Sequence, residues 1–119
     1  MHLVAFVKRK EGLSREEFLE YWRDVHGPLV RDTPGLGDRI VSYVQHPAHP
    51  NDRSGFDGVA IQEFAAWEDL IGMLSDPAAE RMRADEETFL DPSSIKVVFT
   101  GDPNVVIATD SSADRPSEP

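Results

Sequence analysis

SREEFLEYWRDVHGPL, residues Ser14–Leu29, carries the reading of the fold. Ser14 has the character of an N-cap, and Glu17 three positions on completes a capping box that satisfies two orphan backbone N–H groups. Phe18, Trp22, Val25 and Leu29 recur at helical spacing and share one face, while Glu16, Glu20, Arg23 and Asp24 fall largely on the other sides. Gly27-Pro28 is then a stop. Proline has no N–H for the Asp24 carbonyl and its ring crowds that carbonyl, so the helix is expected to end or kink there. His26 lies about 40° around the axis from Trp22, from four residues at 3.6 per turn, and so borders the apolar face.

Outward from this helix the pattern alternates in period. HLVAFVKR (2–9) is a short run of β-formers with apolar residues on both faces, as in a central strand. Residues 31–38, with Pro34, Gly35 and Gly37, read as a loop, and RIVSYVQH (39–46) as a second strand with Ile40, Ser42, Val44 and His46 on one face and Val41, Tyr43 and Gln45 on the other. A long loop follows over 47–56. A third strand is expected over 57–64, a short helix on Trp67, Leu70, Ile71 and Leu74, and a second helix from an Asp76 N-cap to about Leu90. In that helix Met82 and Phe89 point inward, and the acidic run 85–87 reads as a solvated face. IKVVFT (95–100) is a fourth strand, and Val105–Ile107 a short fifth.

The order β-α-β-β-α-β is that of a ferredoxin-like α+β fold, a four-stranded antiparallel sheet with helices on one face. The first three strands carry apolar residues on both faces, so the uncovered face would expose Tyr43, Phe6 or their neighbours, a patch that meets a partner. The expectation is a homodimer whose sheets face one another and enclose a pocket on each side. Residues 1–108 form the domain and 109–119 a disordered acidic tail.

Bulk composition narrows the function classes. A net charge of −10 argues against nucleic acid or an anionic membrane as partner. With no cysteine there is no thiol nucleophile, thiolate metal ligand or iron–sulfur cluster. No apolar run approaches the roughly 20 residues of a membrane helix, and no secretory signal is visible, which together favour a cytoplasmic protein.

The string Lys8…Gly12-Leu13-Ser14…Glu17-Phe18…Tyr21-Trp22…His26-Gly27-Pro28 resembles the opening of the EthD family. The similarity continues through Pro34-Gly35-Leu36, Tyr43-Val44-Gln45, Phe56-Asp57-Gly58 and Asp85-Glu86…Phe89-Leu90-Asp91. The resemblance implies the dimeric α+β barrel superfamily, whose members in and near this family include cyclases, dehydratases, decarboxylases and a lactone isomerase working without metal or organic cofactor. The label "oxidoreductase" is attached to the family loosely.

His26 is the candidate for proton transfer, since a free imidazole titrates near neutrality; the structural alternative is capping of the helix C-terminus. Tyr43 is the candidate to bind a substrate carbonyl or enolate oxygen. Trp22, which also has the spacing of a core residue, and Phe6 are candidate substrate contacts, with His46 and His49 at the mouth. The H-x-x-H of that last pair lacks a carboxylate at diagnostic spacing, so no metal or cofactor is expected. Three functions remain open: acid–base catalysis on a small hydrophobic cyclic compound (lactone, phenolic or polyketide-like), non-catalytic binding of such a molecule for an oxygenase, and cofactorless monooxygenation.

Overall fold

The computed structural model describes residues 1–109. The acidic tail expected over 109–119 lies, save for Thr109, outside the described residues.

Four strands, β1 (His2–Val7), β2 (Ser42–Pro47), β3 (Gly58–Glu63) and β4 (Lys96–Thr100), form one sheet in the order β2-β3-β1-β4, each neighbour antiparallel. Four helical segments, α1 (Arg15–Tyr21), α2 (Gly27–Asp32), α3 (Trp67–Ser75) and α4 (Ala79–Phe89), accompany it. The fold is α+β and ferredoxin-like. Of the three strands with apolar residues on both faces, β1 and β3 take the centre, where both faces need that cover, and β2 an edge.

Register decides what each face carries. Leu3 and Tyr43 flank Gln62, and Ala5 and Gln45 flank Ala60; these residues face the helices. Val4 and Val44 flank Ile61, and Phe6 and His46 flank Val59; these face the open side. Phe6 is therefore on the open face as expected, but Tyr43 is not: it packs against both buried clusters under the helices.

The capping box forms as read. Ser14 Oγ accepts from the Glu17 N–H at 3.0 Å, and Glu17 Oε1 from the Ser14 N–H at 2.9 Å. The proline does not end the helix. Residues Trp22–His26 form a π-helical turn that joins α1 to α2, and Pro28 sits in the first turn of α2. A π turn bonds i to i+5, so the Gly27 N–H reaches the Trp22 carbonyl and the N–H that proline lacks is not required.

Other boundaries shift. Arg39 belongs to a 3-10 turn (Gly37–Arg39), its guanidinium held by the Gly35 carbonyl at 3.0 Å, so β2 starts at Ser42. Asp76 caps the approach to α4 by accepting from the Ala78 N–H at 2.9 Å, one turn before the regular helix. Val105–Ile107 form no strand: Gly101 and Pro103 break the ladder after β4, and Val106 and Ile107 are 84% and 86% exposed. Trp67 is half-exposed, edge-on to Phe99.

Candidate functional site

Between the helices and the sheet lies a cavity of about 200 Å³. It exists because the centre of the helix-facing sheet is small: Ala5 and Ala60 stand where larger side chains would fill the gap. Gly58 lets the Trp22 ring approach the strand, since a Cβ there would come within 2.7 Å of it. Trp22 and His26 hang from the π turn as one wall, Met82 and Glu86 from α4 as another, and Tyr43 and Gln62 rise from the sheet. The expected location is thus corrected. The chamber with the imidazole lies on the helix side, within one chain, and not on the open side.

The π turn fixes His26. The residue is 5% exposed and its ring packs on Phe89 with centroids 4.9 Å apart. Nδ1 lies 2.8 Å from Asp85 Oδ2, and the other oxygen of Asp85 accepts from the Tyr21 hydroxyl at 2.5 Å. With one carboxylate oxygen already receiving a proton donor, the natural arrangement puts the imidazole proton on Nδ1 and leaves the Nε2 lone pair for the chamber. Nε2 is 3.7 Å from Glu86 Oε2. Burial lowers the His26 pKa below its ordinary value, with Asp85 pulling the other way. Burial raises Glu86 to about 7, against the nearby Arg83 charge and with help from Asp85.

Tyr43 sits across the same space. Its hydroxyl accepts from Gln45 Nε2 at 3.2 Å, and that amide also donates to the Trp22 carbonyl at 2.9 Å, so Gln45 ties the π turn to β2. Burial raises the Tyr43 pKa, which keeps the phenol protonated.

Of the residues singled out in the sequence, the structure brings together His26, Tyr43 and Trp22. Phe6 stands on the far side of the sheet, edge-on to Phe56 at 5.6 Å. His46 shares that face, and His49 lies in the following loop with Nδ1 accepting the Asn51 N–H at 3.0 Å. No group of three or more His, Asp or Glu residues among those described is placed to hold a metal ion. No helix among them is long and apolar enough to cross a membrane.

Four participants escaped the sequence reading: Asp85, Glu86, Gln45 and Gln62. The acidic run 85–87 suggested a solvated face, yet Asp85, Glu86 and Phe89 are three, four and seven residues beyond Met82 and so share its inward side. That spacing was the available signal. Gln45 stood only within the Tyr43-Val44-Gln45 string of the family resemblance, and no pattern in β2 or β3 gave either glutamine a role.

A family model of the EthD domain matches residues 10–93. No curated protein matches the chain. Among solved structures, an ethyl tert-butyl ether (EthD) family protein from Bacillus halodurans superposes with a TM-score of 0.66 at 17% identity, over 86% of this chain and 97% of its own. A protein of Arabidopsis thaliana gives 0.67 at 17%, over 89% and 98%. A dimeric protein of unknown function with a ferredoxin-like fold from Bacteroides fragilis gives 0.61 at 13%, over 82% and 90%. Likeness at these identities shows the fold alone.

Proposed function

This chain belongs to the EthD family, and we propose that it is a cofactor-independent enzyme that moves protons on a small hydrophobic cyclic compound of lactone, phenolic or polyketide-like type. The single observation behind this reading is the His26 imidazole, tied at Nδ1 to Asp85 and offering Nε2 to a partly open, mainly apolar chamber. Its lowered pKa leaves it unprotonated at neutral pH, the state a base requires. Tyr43 is the group that bonds a substrate oxygen, its raised pKa keeping the proton in place for donation. Trp22 is a wall for the ring of the substrate. Phe6, His46 and His49 do not line this chamber and have no part in the proposal.

Replacing His26 by alanine is expected to lower turnover by at least about 10²-fold, the usual worth of a positioned acid–base group, while ligand binding persists. Turnover unchanged in H26A rules out the assignment. A non-catalytic binder gives a ligand complex with no turnover in either protein, and a cofactorless monooxygenase gives oxygen uptake with quinols.

The same reading includes a homodimer and a cytoplasmic setting. The open face of the sheet carries Val4, Phe6, Val44, Val59, Ile61 and Val98, with Val44 46% and Val98 53% exposed. An apolar patch of this kind calls for cover, and the Bacteroides fragilis relative is a dimer. The acidic, cysteine-free composition suits the cytoplasm.

A further inference from the structure

Two polar groups in the chamber are left over from this account. Gln62 on β3 is 8% exposed, lines the cavity, and its side-chain amide has no hydrogen-bond partner among the described residues. Buried amides are almost always bonded to protein, water or ligand, so an orphan lining a cavity offers a partner to a polar atom of a bound molecule. Glu86 on α4 lines the same cavity with Oε2 3.7 Å from His26 Nε2. That gap is too long for a direct hydrogen bond. A carbonyl oxygen and the carbon next to the carbonyl lie about 2.4 Å apart by ordinary bond lengths, so one such unit can touch both groups at once.

We propose that Glu86 is the second proton-transfer group of this site, that Gln62 anchors the substrate oxygen, and that the substrate is an enolisable cyclic ketone or lactone undergoing a proton shift. The proposal rests on the reading of His26 as the proton-transfer group. His26 Nε2 takes a proton from the carbon beside the carbonyl. The C–H electron pair becomes a C=C bond, and the carbonyl π pair moves to oxygen. Glu86 delivers its proton to that oxygen, giving a neutral enol, while the Gln62 amide donates a hydrogen bond to it. In a β,γ-unsaturated ketone the His26 imidazolium then returns its proton to the γ-carbon, and the Glu86 carboxylate recovers the proton it gave. The double bond has moved into conjugation, both side chains are restored, and nothing has been oxidised or reduced.

The charges in the chamber suit this division. Near neutrality Glu86 still holds a proton in a substantial fraction of molecules while His26 is free. The titratable and charged groups facing Glu86 are His26 from the π turn, Tyr43 from β2, and Arg83 and Asp85 from its own helix. The cavity-lining residues of β1, β3, β4 and α3 are all uncharged.

The test uses 3-cyclohexen-1-one as probe, with conversion to the conjugated ketone followed by absorbance and proton exchange in D2O by NMR. Wild-type protein is expected to show a bell-shaped rate profile, falling at low pH as His26 protonates and above about 7 as Glu86 ionises. E86Q should lose at least about 10²-fold in kcat together with the high-pH limb, with KM little changed. Q62L should raise KM, and circular dichroism of each variant checks the fold. Conversion lost in H26A but kept in E86Q with both limbs intact overturns the role of Glu86 and leaves that of His26 standing. KM unchanged in Q62L overturns the anchor. Wild-type protein no faster than buffer, or H26A as fast as wild type, overturns the acid–base reading of the chamber and this inference with it.

Discussion

The two faces of the same four strands are built from different residues and to different ends. Toward the helices the central positions are small or polar, Ala5, Ala60, Gln62 and Tyr43, and a cavity remains. Toward the open side the matching positions are Val4, Phe6, Val44, Val59 and Ile61, which leave a broad apolar surface in place of a hollow. Large β-branched residues would have filled the space under the helices. Small and polar ones would have given the open side nothing to associate through in the dimer proposed above. Strand periodicity of two lets both requirements be met by one sheet without compromise.

The comparison is broken most sharply on the open face. Val44→Asp paired with Ile61→Asp, placed side by side on β2 and β3, is expected to convert the proposed dimer wholly to monomer in sedimentation experiments. The His26 titration followed by NMR should stay unchanged, because the chamber lies on the other side of the sheet. A wild-type protein that sediments as a monomer refutes the role given to this face.

On the helix side, Ala60→Leu fills part of the cavity with about three more carbon atoms. Ligand binding is expected to fall by about 10²-fold, with stability changed by less than about 2 kcal/mol since the void accepts the added atoms. Calorimetric titration against denaturant unfolding separates the two quantities. Unaltered binding would place the ligand elsewhere, for instance in the open groove beside α2 at the β2 edge, which Tyr43 also borders.

The smallest effect is on stability against pH. Glu86 has its pKa raised from 4.5 to about 7, so its neutral form favours the folded state below about 4.5 and that benefit fades as pH rises through about 7. His26 is shifted the other way. Its contribution is in place above 6.5 and is lost as pH falls through its lowered value. Glu86→Gln removes the first dependence only. Relative to wild type, the variant should gain about 1–2 kcal/mol at pH 8 compared with pH 5, a figure reduced because the Glu86 side chain is 32% exposed. Parallel urea curves at the two pH values measure it, and an equal loss in both proteins would show that Glu86 is not held neutral by the fold.

Much of this architecture could be read from local chemistry. The capping box at Ser14, the apolar stripe of Phe18 and Trp22, and the double-faced runs of β1 and β3 each declare themselves within a few residues. The π turn did not. A proline is carried through where its missing N–H would go unused, as in the first turn of α2, and the Trp22 carbonyl just before it takes the Gly27 N–H and the amide of Gln45 from a different element. The acidic stretch of α4 misled for a related reason. Charge suggests solvent, but the side facing inward is set by Met82 and Phe89, and Asp85 and Glu86 share it.

By itself the sequence determined the order of elements, the antiparallel sheet with one covered face, and a histidine bordering an apolar helix stripe, because these follow from periodicity, capping and chain connectivity. The tertiary structure decided which face Tyr43 occupies and that His26 meets Asp85, 59 positions away in the chain. Strand register and the approach of one helix to another are set by packing the whole core, and no short window of residues contains that information.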